Sequence, residues 1–128
     1  MSCLSSSSRR CQMLKDGSQF KKIYIACGYT DLRYGVDGLA MIIQQTYNLS
    51  PFDEGTLFLF CGRRSDRIKG LLWEGDGFLL LYKRLANGRY QWPRKTEDLK
   101  KMTPEEYHLL VTGFNPFSSI HKSSAKYI

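Results

Sequence analysis

The chain is predicted to fold as a single α+β domain, an antiparallel β-meander sheet of about four to five strands with two helices packed on it. Three features of the sequence carry this. The stretch from Leu57 to Leu85 holds three apolar runs, Leu57 to Cys61, Ile68 to Trp73 and Phe78 to Tyr82, divided by turn-forming residues. Two other segments repeat their apolar residues at helical spacing. A length of 128 residues suffices for one domain with a real core and is too short for two ordinary ones.

Residues 1–12 are serine-rich without apolar periodicity and are expected to be a disordered extension, with the domain spanning residues 13–114 and a flexible tail over 115–128. The first strand is expected within Phe20 to Cys27, a β-prone run closed by Gly28. A loop rich in glycine and aromatics, Gly28 to Gly38, then leads into a helix. Val36, Leu39, Ala40, Ile43 and Tyr47 share one face of it, and it ends near Asn48. Ser50 to Gly55 forms the next loop, because Pro51 restricts its predecessor and Gly55 supplies turn freedom. In the following strand Leu57, Leu59 and Cys61 alternate with Phe58 and Phe60, the pattern of a strand covered on both faces. Glu74-Gly75-Asp76-Gly77 joins the next two strands as a tight hairpin. Asn87-Gly88 is a further hairpin signal and places a fourth meander strand over Arg89 to Trp92, ended by Pro93. Thr103, Pro104 and Glu105-Glu106 have the order of an N-cap, a first-turn proline and first-turn acids. The apolar face of that helix is read as Tyr107, Leu110, Val111 and Phe114.

Apolar content of 42% and charged content of 24% are ordinary for a globular protein, and no apolar run is long enough to span a bilayer. The first residues carry serines where a signal peptide needs an apolar core, so a cytosolic chain is expected. The cysteines at 3, 11, 27 and 61 lack CxxC spacing, and His108 and His121 are the only imidazoles. Neither a zinc site nor a cofactor is predicted, and Cys27 and Cys61 read as small core hydrophobes. The net charge of +7 is unevenly spread: residues 1–62 contribute +1, residues 63–95 contribute +6 and residues 96–128 contribute 0. Such a local excess either attracts polyanions or keeps a sheet face solvated.

Candidate chemistry follows from this division. Arg63, Arg64, Arg67 and Lys69 cluster at one turn, while Lys83, Arg84, Arg89, Arg94 and Lys95 lie toward the ends of the next hairpin. Tyr82, Tyr90 and Trp92 sit among them, either as stacking groups for bases or as core and cross-strand packing. Of these, Arg63, Arg64, Arg67, Lys69, Lys83, Arg84, Arg89 and Arg94 are the candidate nucleic-acid-binding residues. Asp31, Asp37, Asp53, Asp66, Glu74 and Asp76 could supply a metal-dependent nuclease, but their spacing singles out no converging set. Gly35 to Gly38 has the form of a backbone-clamping GxxG loop, yet Asp37 at its centre would repel phosphate, so the glycines are read as serving the start of the helix. His108 has no neighbouring nucleophile, and no P-loop, GxSxG or HExxH motif occurs, so no catalytic residue is assigned.

Three segments, IYIACGYTDLRYGVDGL, PFDEGTLFLFCGRRSDRIKGLLWEGDGFLLLYKRL and NGRYQWPR, resemble the TnpB accessory family, encoded by the second open reading frame of bacterial insertion sequences of family 66. The resemblance runs from Phe20 to about Leu110. It implies a non-catalytic role in transposition beside a separate, larger transposase and a small helix-turn-helix helper protein, and it supplies no catalytic or binding residues. DNA at the transposon ends, or the transposase–DNA complex, is the expected partner of the basic hairpins. The alternative is a bridging subunit that joins transposase to helper without touching DNA, through an apolar loop surface around Tyr29, Tyr34 and Phe52.

Overall fold

A computed structural model describes residues 17–117, so the expected N-terminal extension and all but the first residues of the expected C-terminal tail lie outside the described residues. The elements run in the order β1 (Lys22–Ala26), α1 (Val36–Gln45), β2 (Thr56–Cys61), β3 (Arg67–Trp73), β4 (Phe78–Arg84), β5 (Leu99–Met102) and α2 (Pro104–Val111). A short 3₁₀ turn, Gly17–Gln19, precedes them. The five strands form one sheet in the order β4-β3-β2-β1-β5. The α+β prediction with two helices therefore holds. Among the described residues no helix is long and apolar enough to cross a membrane.

The meander β2-β3-β4 is antiparallel as predicted, with Leu59 opposite Gly70 and Leu71 opposite Leu80. The pairing of β1 differs: it lies parallel to β2, with Ile23 opposite Leu57, and α1 makes the crossover between them. Antiparallel neighbours can be joined by a tight turn, but parallel ones need a crossover of this kind.

Period-two alternation sorts the side chains onto two cores. Ile23, Ile25, Leu57, Leu59, Cys61, Ile68 and Leu72 face one side, where Tyr107, Leu110 and Val111 of α2 cover them. Ala26, Phe58, Phe60 and Leu71 face the other, under Leu39 and Ile43 of α1. The predicted apolar face of α1 is thus the buried one, with Val36, Ala40 and Tyr47 packed beside it. Gly70 keeps the first core thin: a Cβ there would lie 3.2 Å from Leu57 and 3.4 Å from Leu59.

The fourth meander strand, Arg89 to Trp92, is not formed. Gly88 does take a turn conformation, at φ +87, but the chain then leaves the edge of the sheet and crosses to the opposite edge. Burial overrides pairing here. Tyr90 and Trp92 drop into the first core, and the Trp92 indole Nε1 donates to the Ala26 carbonyl at 3.0 Å. The Tyr90 amide donates to Ser65 O at 2.7 Å, and Pro93, which has no amide proton, instead accepts from Gly28 N at 2.9 Å. The crossing delivers β5 to the free side of β1, with Leu99 opposite Ala26. α2 begins with a full capping box: Thr103 accepts from Glu106 N at 3.1 Å, and the Glu106 carboxylate accepts from Thr103 N at 2.8 Å. Phe114 is 61% exposed and does not belong to the buried face, because the helix ends at Val111 and Gly113 turns the chain at φ +97.

Two measurements bear on this packing. Trp92→Ala should cost about 3–5 kcal/mol in urea unfolding, since it opens a core cavity and removes the indole's hydrogen bond to the Ala26 carbonyl. Burial pushes the Cys61 thiol from 9.0 up to about 11 and the Tyr90 phenol from 10.0 up to about 12. Above pH 9 the unfolded chain therefore releases these protons first and binds fewer of them, so stability falls as pH rises through this window and is unaffected by these groups at neutral pH. The urea midpoint followed against pH should show that fall, and Tyr90→Phe should flatten its upper part.

Candidate nucleic-acid interface

The basic residues gather because two connections leave the carboxyl ends of the parallel strands on the α1 side of the sheet. The β1–α1 loop, residues 28–35, and the β2–β3 turn, residues 62–66, wall a cleft of about 980 Å³ whose floor continues onto β3 and β4. The register of the β3–β4 ladder decides which cations share it. Arg67 stands opposite Arg84 and Lys69 opposite Tyr82, on the face that also carries Leu71 and Leu80. Arg63 and Arg64 project from the turn and are exposed.

Thus Arg63, Arg64, Arg67 and Lys69 line one cleft, with Arg84 beside Arg67. Lys83 is paired with Ile68 and so lies on the opposite face. Arg89 is exposed on the crossing segment. Arg94 turns inward. Its Nη1 donates to the Gly28 carbonyl, and its Nη2 donates to Gly62 O at 2.6 Å and to Ser65 Oγ at 3.1 Å. The guanidinium also sits 4.3 Å from the centroid of the Tyr29 ring. Arg94 thereby ties the two walls of the cleft together, with its planar fork satisfying several carbonyls at once.

One wall and the floor each carry an exposed ring. Tyr29 and Tyr82 are 56% and 52% exposed, large values for rings of this size. Arg63 lies 5.4 Å from the Tyr29 centroid, and the Lys69 ammonium lies 5.9 Å from that of Tyr82 while donating to the Tyr34 carbonyl at 3.0 Å. These are cation–π distances. Tyr90 and Trp92, by contrast, are buried and present no face to a ligand.

The lining cations are Arg33, Arg63, Arg64, Arg67 and Lys69, against Asp31 in the lining and Asp66 bonded to Arg67, which leaves a net charge of +3. Both acids are held ionised. The Arg33 side chain, helped by its amide, lowers the Asp31 carboxyl to about 2, and the hydrogen bond from Arg67 lowers Asp66. Among the described residues no three His, Cys, Asp or Glu side chains converge as a metal site. Of the carboxylates considered for a nuclease, Asp53 is paired to Lys21 and Lys22, Asp31 to Arg33 and Asp66 to Arg67.

Sequence reasoning included the arginines of the turn but missed Arg33 and Leu32, which a loop adds from outside the basic segment. Tyr29 and Tyr34 do flank this region. Phe52 lies elsewhere, against Trp73 and Phe78 at the other end of β3, with centroids at 5.1 and 5.3 Å. As a chemical surface, the cleft offers guanidinium groups for phosphate oxygens and exposed ring faces for planar groups.

Arg94→Ala should destabilise the fold by about 2–3 kcal/mol and speed amide exchange in residues 62–66, because it strands carbonyls that the guanidinium now satisfies. Arg94→Lys should not restore protection, since a point charge on a flexible stem cannot reproduce the fork.

Comparison with known proteins gives the context of this architecture. The chain is 36% identical over 103 residues to the uncharacterized protein y4hO of Sinorhizobium fredii (strain NBRC 101917 / NGR234), covering 80% of this chain and 88% of that one. It is 32% identical over 94 residues to the uncharacterized protein y4jC of the same organism, covering 73% and 80%. No solved structure matches. The family model described as IS66 Orf2 like protein matches residues 21–120, a span that contains the whole sheet, both helices and every wall of the cleft, and the chain belongs to that family of insertion-sequence accessory proteins.

Proposed function

We propose that the chain serves transposition of its insertion sequence by binding DNA, or the transposase–DNA complex, through the basic cleft. The observation that carries this reading is the convergence of Arg63, Arg64, Arg67 and Lys69 above the exposed rings of Tyr29 and Tyr82. Guanidinium groups contact phosphates without regard to sequence, and the rings can stack on bases that leave the duplex. Arg84 and Arg89 extend the positive field beyond the cleft, while Lys83 lies on the other face and contributes through the net field alone. Arg94 acts in this reading as the brace that holds the walls rather than as a contact. The transposase and a small helix-turn-helix helper are the protein partners this reading implies.

A second reading, a bridge between transposase and helper without DNA contact, is favoured by the aromatic cluster of Phe52, Trp73 and Phe78, of which Phe52 is half exposed. A pull-down with both partners, free of DNA, separates the readings. Assembly lost on Phe52→Ala and kept on replacing Arg63, Arg64 and Arg67 by alanine would favour the bridge.

Neutralising about five phosphates should give a slope of log affinity against log salt of about −4.5, measured by gel shift on the element's ends and on random DNA. Replacing Arg63 and Arg64 by alanine should make that slope shallower by about 1.8. Binding that ignores salt, or that survives both substitutions unchanged, would sink the DNA reading.

A further inference from the structure

The two edges of the sheet are built differently. β5 presents four residues, Leu99–Met102, with Lys100 and Lys101 at its centre, a short charged edge of the kind that discourages pairing with another chain. β4 presents seven, FLLLYKR, without proline, and Phe78 to Leu81 are only partly buried. Such an edge is a template for another strand.

The hydrogen-bond parity of that edge is fixed by the hairpin. Glu74 N donates to Gly77 O at 2.9 Å, so the Glu74–Gly77 pair is a hydrogen-bonded one. Alternation along an antiparallel ladder then directs the polar groups of Leu79, Leu81 and Lys83 toward β3, and those of Phe78, Leu80, Tyr82 and Arg84 outward. Among the described residues no backbone bond from a turn or loop reaches these outward groups.

We infer that β4 is the interface for a second copy of this chain, paired antiparallel to its own β4 about a two-fold axis at Leu80. The sequence of the edge is self-complementary in that register. Leu80 meets Leu80, Leu79 meets Leu81 on one face, and Phe78 meets Tyr82 on the other. Asp76 of each copy comes to Arg84 of its partner. Neither residue has an acid–base partner within its own chain among the described residues, and both are exposed. Across the ladder Arg84 faces another cation, Arg67, whose own acidic partner is Asp66. Outward groups face outward groups, so the ladder closes without a slip. Isologous contact of this kind is the commonest way for identical chains to associate. A two-fold axis through paired strands keeps the same face of both sheets on one side. The two basic clefts, each floored by Leu80 and Tyr82 at the joint, then open side by side.

Sedimentation of the full chain, with the Asp76→Arg and Arg84→Asp variants and their combination, tests this without disturbing the core. The unmodified chain is expected to form dimers. Each single swap should weaken association by about tenfold, since it places like charges opposite one another at two symmetric positions, and the double swap should restore it to within about threefold. Amide exchange supplies the second readout. The amides of Leu80 and Tyr82 should be protected in the dimer and exchange freely on dilution, whereas those of Leu79 and Leu81 stay protected in both. A monomer at every concentration, a dimer indifferent to both swaps, or free exchange at Leu80 and Tyr82 in the dimer would each overturn the inference. None of these outcomes depends on whether the clefts bind DNA.

Discussion

All six side chains of β2 are buried, and that single strand dictates most of the remaining architecture. A strand with leucines on one face and phenylalanines on the other cannot rest against solvent on either side. It needs a cover on both, and the chain supplies α1 for Phe58 and Phe60 and α2 with Tyr90 and Trp92 for Leu57, Leu59 and Cys61. Its two edges need ladder partners too, because its polar backbone has no water to bond. One partner, β3, comes by a tight antiparallel turn. The other, β1, is already on the far side of a helix and can only lie parallel.

That parallel pair explains where the positive surface forms. Crevices in sheets with parallel strands open beyond the carboxyl ends, where successive connections part to different places. After β1 the chain heads for α1, and after β2 it turns back into β3, so the loop and the turn diverge there. The divergence would leave both loosely held. The crossing segment prevents this: Pro93 accepts from Gly28, and Arg94 spans from the Gly28 carbonyl to those of Gly62 and Arg63. A cation drawn from the basic segment thus fixes the walls that carry the others, and the side chains left exposed are the ones whose charge is available to a ligand.

The elements themselves were legible from local chemistry. Alternating leucine and phenylalanine in β2, the helical spacing of Leu39 and Ile43, and the Thr103-Pro104 start of α2 each encode one conformation within a few residues. What local chemistry could not specify was partnership. Leu99-Lys100-Lys101-Met102 has no alternation to mark a strand and becomes one only because β1 offers a free edge. The run from Arg89 to Trp92 has every local mark of a strand, yet the core has room for two large rings and takes Tyr90 and Trp92 instead. The basic turn of the candidate site was visible as charge density. Arg94 was counted with it because its role depends on carbonyls 66 and 32 residues away, a separation that no window of sequence reveals. Leu32 and Arg33 were hidden for the same reason, being brought to the cleft by the parallel pairing of β1.

The same distinction between composition and placement bears on the charge itself. The excess of +6 between residues 63 and 95 is a property of sequence, but the fold divides it among three tasks. Arg94 is consumed as a brace, and Arg67 is paired with Asp66 at 3.0 Å. Lys83 is sent to the opposite face by a period of two that places its neighbours Tyr82 and Arg84 on the cleft side. What remains is a smaller field concentrated over exposed rings, and concentration rather than total charge is what lets a surface hold a polyanion in one orientation. Leu80 of β4 underlies the same surface from its open edge, while Leu79 and Leu81 pack on the other face. The hairpin carries an acid, Asp76, in its turn and a cation, Arg84, at the far end of β4, and the proposed self-pairing sets each against the other.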